Sequence, residues 1–406
     1  MLNSMPFEGV KIADFSWVGV GPITAKYLAD HGATTVRIET TSPMDLLRAI
    51  GPFKDNIQGP DRTHFFGNMN TSKLGVTLDL KSAAGLEVAY RLIAWADLYL
   101  ESFTPGTVDA LGIGYEKART LNPSIIMAST CLMGQTGTAA SFAGYGLHAG
   151  SIAGFYEVTG WPDLPPDGPY TAYTDTVAPR FLASIVMAAL DHQRRTGQGQ
   201  HIDASQLEMA LHFLSPQIID YHVSGKMGTR NGNRSETAAP HGAFPCEGDD
   251  QWCAVAVEND QQWAGLRRAM GEPDWAKDPG FESAEGRLAH QDEIEGKLSE
   301  WTRSKPPKSV MEILHSEGVP AGVVQRSSDL LRDPQLAHRG FFHYLDHKEM
   351  GTVPYTGHQF RIKGYDNGPR FPAPVLGQHN DEVLRDVLGM TEDEITEAII
   401  GGALGS

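Results

Sequence analysis

Residues 10–39 read VKIADFSWVGVGPITAKYLADHGATTVRIE. Val10–Phe15 is a short apolar run suited to a buried strand, and Gly19, Gly21 and Pro22 then interrupt it. Ile23–His31 spaces its apolar residues as a helix does and stops at Gly32, after which Thr34–Ile38 is β-branched. A strand, a helix and a second strand in this order make a βαβ unit, whose two strands pair in parallel.

The alternation continues. Val76–Leu80 reads as a strand, Ala83–Trp95 as a helix, and Leu98–Leu100 and Ser124–Ser129 as further strands. Pro179–His192 has the composition of a mostly buried helix, His201–Ala204 resumes as a strand, and Gln206–Val223 has helical spacing. Strands alternating with helices predict an α/β fold around a mainly parallel sheet. From Gly225 to Gly242 the chain turns polar and glycine-rich. A hairpin pattern over Ala243–Val257 and amphipathic helices at Gln261–Met270, Glu285–Trp301 and Val310–Glu317 follow, the signature of a smaller α+β unit. From Asp329 the chain is loop-rich, with last helices expected at Asp381–Leu388 and Glu392–Ile400. The expected organisation is therefore 1–224, 225–328 and 329–406.

The chain has 406 residues and a formal net charge of −17. That balance disfavours nucleic acid or an anionic membrane surface as partner, while leaving room for a local cationic pocket. Three scattered cysteines, Cys131, Cys246 and Cys253, form neither a disulfide framework nor a zinc motif, and no metal site is expected. No signal peptide is read at the start, and no run of about 18 apolar residues suggests a membrane span, so a cytoplasmic location is expected. The GVGP turn (19–22) places backbone N–H groups where an anion could sit. It lacks the GxGxxG spacing of nicotinamide dehydrogenases, so that activity is not supported.

Read together and in order, DFSWVGVGP (14–22), LADHGATTVRIE (28–39), NMNTSKLGVTLDLK (68–81), ESFTPGTVDALGIGYE (101–116), NPSIIMAS (122–129), GQTG (134–137), TAYTDTVAPRF (171–181), RRTGQGQHIDAS (194–205), EGVPAGVV (317–324), DPQLAHRGFF (333–342) and APVLGQHNDEVL (373–384) resemble the class III CoA-transferases, of the formyl-CoA and carnitine CoA-transferase type. The resemblance implies a doubly wound large domain built from both ends of the chain, a small α+β domain, and an interlocked dimer of ring-shaped subunits. It also implies that coenzyme A serves as a carrier substrate and that no other cofactor is needed.

The reaction implied moves CoA from an acyl-CoA donor to a carboxylic acid acceptor. A protein carboxylate attacks the thioester to give a mixed anhydride, and the CoA thiolate then attacks the protein carbonyl to leave an enzyme-bound thioester. The resemblance puts Asp175 in the nucleophile's position, at the start of a long apolar helix. A capping aspartate is the structural alternative, and both roles are compatible. Oxyanion donors are sought among Gly19 and Gly21 in the first turn, Gly144 and Gly146, and the segment Ser235–Gly242, with Gly19 and Gly146 put first and with His148 and His241 as candidate hydrogen-bonding partners of the substrate. For CoA, the matching positions are Val18, Arg37, Asn70, Lys73, Ser102 and Thr104. This chain departs from the formyl-CoA enzyme in three places. It has Gly19 where that enzyme has glutamine, Tyr145-Gly146 where it has Tyr-Glu, and SETAAPHG (235–242) where it has four glycines. Thr104 stands where many members have arginine, and Arg48 is a possible substitute. These departures argue against formate and oxalate and for a larger acyl group. The loop TGWPDLPPDGPYTAYTD (159–175) looks most like transferases that activate substituted succinates from succinyl-CoA. Three further readings are an acyl-CoA racemase or isomerase of the same fold, using His148 with Asp175; a non-catalytic half of a heteromeric transferase; and a heteromer with a homologous subunit in place of a homodimer.

Overall fold

The computed structural model describes residues 4–365 and 367–405. Six strands, β1 (Lys11–Asp14), β2 (Thr34–Glu39), β3 (Leu74–Thr77), β4 (Leu98–Glu101), β5 (Ile126–Cys131) and β6 (Gln200–Ser205), form one sheet in the order β3-β2-β1-β4-β5-β6, with every pairing parallel. This is the doubly wound order in which the winding reverses between β1 and β4.

Both faces of the sheet are buried, and the strands show it residue by residue. Ile12, Leu98, Leu100, Ile126 and Ala128 pack on one side with Leu28, Leu182 and Val186. Their neighbours Ala13, Tyr99 and Met127 pack on the other with Val88, Leu92 and Ile395. Successive side chains leave a strand on opposite faces, so a run that is apolar at every position is what a two-sided core requires.

The first helix runs over Val20–Asp30, three residues longer at its start than the spacing predicts. Pro22 does not break it, because a first-turn residue has no intrahelical partner for its N–H and a proline there costs nothing. Gly21 is required by contact: a Cβ there would lie 2.2 Å from Cβ of Ser16. The long helix likewise begins early, at Tyr173, and ends at Thr196. Pro179 lies inside it and has no N–H to give the Asp175 carbonyl four residues back. Gln206–Val223, by contrast, is not one helix. It divides into Gln206–Leu211, a tight turn His212–Leu214, and Ser215–Ser224 with Pro216 at its start.

The chain forms two compact units. The first comprises 1–155, 168–226 and 335–406; the second comprises 156–167 and 227–334. In the first, the C-terminal residues complete the sheet's cover. The helix Glu392–Ile400 packs on Ala83–Trp95, Arg91 meets Glu394 at 2.8 Å, and the Asp79 N–H donates to Ala403 O at 2.7 Å. An antiparallel hairpin, Phe342–His347 with Gly351–Thr356, belongs to the same unit. The second unit holds an antiparallel sheet of His241–Pro245, Trp252–Ala256 and Ala321–Val323. Its core joins Phe244, Cys253 and Val255 to Trp263, Leu266, Ile294, Leu298, Val310 and Leu314 from its helices. Among the described residues, no helix is long and apolar enough to cross a membrane.

Candidate active site

Where a parallel sheet reverses its winding, the loops after the two central strands diverge and leave a crevice at their carboxyl ends. Here a cavity of about 470 Å³ opens in that place. Trp17, Val18 and Gly19 line it after β1, Ser102, Phe103 and Thr104 after β4, and Cys131 at the end of β5 with Leu132 just past it. Gln206 enters from the end of β6, and Tyr145, His148 and Asp175 close one side.

The turn after β1 is held in an unusual shape. Val18 has φ of 63°, the left-handed region that a β-branched residue rarely occupies. The Ser102 hydroxyl clasps the turn from β4, accepting the Trp17 N–H at 2.8 Å and donating to the Trp17 carbonyl at 3.1 Å. The Val18 N–H donates to Asp45 at 3.2 Å. Strain of this kind persists only where the surroundings over-determine it.

Asp175 is the third residue of the helix Tyr173–Thr196, and Ala172 occupies the cap position. Its Oδ1 accepts from Gln206 Nε2 at 2.5 Å, and the Gly146 N–H also donates to the carboxylate. Burial pushes the Asp175 carboxyl up from its ordinary range, and the Gln206 and Gly146 hydrogen bonds offset this only in part. Gly19 and Gly146 are both against the carboxyl: a Cβ on Gly19 would lie 3.0 Å from Cβ of Asp175, and one on Gly146 2.6 Å from its Cγ. His148 faces the same cavity, its Nδ1 accepting the Tyr145 N–H at 3.2 Å.

Of the residues expected at CoA, Val18, Ser102 and Thr104 line the cavity. Arg37, Lys73 and Asn70 do not; all three are buried within the fold. The Arg37 guanidinium pairs with Asp45, lies 3.6 Å from Asp14 and 3.7 Å from Glu39, and donates to the Ser16 carbonyl at 2.7 Å. Lys73 reaches Asp14 at 2.8 Å, the Pro22 carbonyl at 2.8 Å and Asn70 at 2.9 Å. Burial holds the Lys73 ammonium down to about 8 despite the Asp14 charge beside it. Arg48 is equally enclosed, bidentate to Glu39 at 2.8 and 2.7 Å, with its guanidinium 3.7 Å from the Phe66 ring centroid. These charges brace the loops that carry the turn after β1. Among the described residues, no lysine or arginine lines the cavity. His241 stands in the second unit, on the strand His241–Pro245, with Nδ1 on the Asn233 carbonyl at 2.6 Å.

The sequence gives no hint of Gln206 as a partner of Asp175, because 31 residues separate them. The available signal was its place at a strand end: β6 is next to β5 in the sheet, and residues just past carboxyl ends face the crevice. A second cavity of about 120 Å³ adjoins the first, since Trp17 and Phe103 line both. Its other walls include Phe15, Ile38, Leu80 and Leu111, with Lys81 among the lining residues.

Comparison with known proteins agrees with this architecture. The chain is 30% identical over 390 residues to a succinyl-CoA–D-citramalate CoA-transferase of Chloroflexus aurantiacus, covering 96% of each chain. It is also 30% identical to an acetyl-CoA:oxalate CoA-transferase of Acetobacter aceti, over 94% of this chain and 95% of the relative. A crystal structure of a CAIB/BAIF family protein from Brucella suis superposes with a TM-score of 0.87 at 28% identity, covering 95% of this chain and 100% of that one. The model of CoA-transferase family III matches residues 7–380, and the chain belongs to that family.

Proposed function

We propose that this enzyme moves CoA from an acyl-CoA donor to a carboxylic acid through a covalent thioester on Asp175. One observation carries the reading: a half-buried carboxylate stands in the switch-point cavity, held by two neutral N–H donors and, among the described residues, by no cation. Burial makes such a carboxylate more basic and strips it of water, both of which favour attack on a thioester carbonyl. The donors keep it oriented. Glycines at 19 and 146 leave room for the acyl carbon to approach.

For CoA itself, Val18, Ser102 and Thr104 line the path to Asp175, and the small apolar cavity beyond Trp17 and Phe103 suits the adenine. Lys81 in that second cavity supplies the cation a phosphate calls for. No group other than CoA is required by this chemistry. The two relatives named above share one level of identity yet differ in both donor and acceptor by name, so similarity alone does not select the acids. Succinyl-CoA is the first donor to test, with acceptors that carry an apolar body, because Phe142, Leu132 and Pro105 furnish the cavity wall. The helix Ser215–Ser224 buries none of its residues, and Ile218, Ile219, Tyr221 and Val223 are exposed on it, which supports a dimer that covers them. The place of action under this reading is the cytoplasm.

Purified enzyme with succinyl-CoA and a panel of acids should form new acyl-CoA, and Asp175→Ala should form none while still binding CoA. Because His148 shares the cavity with Asp175, a racemase is the competing reading. It requires exchange of the proton alpha to the thioester with deuterated solvent, in an enzyme that moves no CoA between acids.

A further inference from the structure

We propose that Gln206 is the oxyanion donor for the aspartyl carbonyl, and that it divides the Asp175 carboxylate into a held oxygen, Oδ1, and an attacking oxygen, Oδ2. The proposal rests on Asp175 being the nucleophile.

Gln206 is the first residue of the helix Gln206–Leu211, directly after β6, and Ser205 caps that helix by accepting the Glu208 N–H at 3.2 Å. Its side chain is therefore anchored at a strand end and is buried. Nε2 donates to Asp175 Oδ1 at 2.5 Å and to Thr174 Oγ1 at 2.8 Å. The orientation of the amide follows from its partners. An ionised carboxylate can only accept, and the Thr174 hydroxyl has spent its one proton on the Gly146 carbonyl at 2.9 Å. Both neighbours thus need a donor, and only the NH₂ end supplies two. The same network fixes Gly146, whose N–H is the second donor to the carboxylate. Oδ2 lies toward Gly19, the residue with no side chain to block approach.

This asymmetry assigns the atoms. In the first step Oδ2 attacks the donor's acyl carbon, an O–C bond forms, the C–S bond breaks, and CoA leaves as the thiolate. In the second the thiolate attacks Cγ of Asp175, and the electron pair of the carbonyl moves onto Oδ1. The tetrahedral centre collapses by breaking Cγ–Oδ2, so the donor acid departs carrying that oxygen and the enzyme retains Oδ1 in its thioester. The acceptor carboxylate then attacks Cγ, and charge again develops on Oδ1. Every tetrahedral centre at Cγ therefore places its negative charge where Gln206 already points a donor. A donor aimed at a developing oxyanion contributes more than one aimed at the ground state.

The test measures how fast the aspartyl-CoA thioester appears on the Asp175 peptide after the enzyme is mixed with acyl-CoA alone. Wild type should form it. Gln206→Leu should form it about a hundred-fold more slowly, with acyl-CoA affinity unchanged, the usual size of losing one oxyanion donor. The isosteric Gln206→Glu should be active only while its new carboxyl is protonated and can donate. Its activity should fall as pH rises, whereas wild type should gain activity as the Asp175 carboxyl ionises, a reversal that a merely structural role would not produce. Thioester formation by Gln206→Leu at the wild-type rate, or a Gln206→Glu profile parallel to wild type, overturns the assignment to Gln206. Absence of any thioester in the wild type overturns instead the nucleophilic role of Asp175.

Discussion

Gly146 and Asp175 touch so closely that no other residue fits at position 146: a Cβ there would lie 2.6 Å from the carboxylate carbon and 2.7 Å from Oδ1. The contact displaces nothing at Gly146 itself, whose backbone is already bound to Thr174, so the added methyl group must push the carboxylate away. With Asp175 as the proposed nucleophile, Gly146→Ala should lower kcat by about a hundred-fold or more, since displacing a reacting group by even an ångström costs on that order. Gly19→Ala, whose Cβ would meet Asp175 Cβ at 3.0 Å, should cost less. Steady-state kinetics of the two variants checks the order, and equal activities would contradict the geometry.

Burial of Asp175 also has a cost for the fold. The folded-state pKa is raised, so the carboxylate is less comfortable ionised in the native protein than in the unfolded chain. The cost is thus absent below the unfolded pKa, grows as pH rises from the unfolded value toward the folded one, and is complete above it. Asp175→Asn removes the charge. At neutral and mildly alkaline pH the variant should melt no lower than wild type, and any advantage should shrink on acidification through the carboxylate range. Thermal melts across pH would show it, and an advantage that grows on acidification would contradict it. Function at the expense of stability is expected where a site holds a group against its preference.

Arg37 is the hub of the charges beneath the turn after β1, with Asp14, Glu39 and Asp45 all buried around it. Arg37→Ala leaves those carboxylates short of a partner in the interior and should destabilise the protein by about 3–5 kcal/mol. Denaturant unfolding measures this. A variant as stable as wild type, with only acyl-CoA affinity reduced, would return Arg37 to the role of a phosphate contact.

The two-sided apolar strands and the switch from strand to helix over residues 10–39 are local signals, so the parallel sheet was legible before any coordinates. Helix starts were less so, because Pro22 and Pro179 read as punctuation although a first-turn proline is free of cost and the second is tolerated inside the helix. Asp175, Gly19 and His148, picked out by the motifs, line one cavity, and Gly146 meets the same carboxyl. Charge in a sequence does not say whether it faces solvent, and so Arg37 and Lys73 read as ligands for phosphate although both are buried, Arg37 among three carboxylates and Lys73 against Asp14, the Pro22 carbonyl and Asn70. Gln206 was invisible for a simpler reason: its partner lies on a different element, and only the sheet order brings the two together.

Exposure along Ser215–Ser224 predicts self-association. Val223 is 78% and Ile219 60% exposed on a helix that buries nothing. Sedimentation at assay concentrations should show a dimer, and charged substitutions at Ile219 and Val223 together should weaken it. A wild-type chain that stays monomeric and active would contradict the dimer.

The covalent role proposed for Asp175 is tested most directly by following oxygen. The enzyme is first loaded with donor acyl-CoA and freed of excess, then given an acceptor acid with heavy isotope in both carboxylate oxygens. If the acceptor attacks the aspartyl thioester, one of its oxygens must remain on Asp175 when the new acyl-CoA leaves. Mass analysis of the peptide containing Asp175 should show one heavy oxygen on that side chain after a single turnover. New acyl-CoA formed with no heavy oxygen on Asp175 would contradict the account.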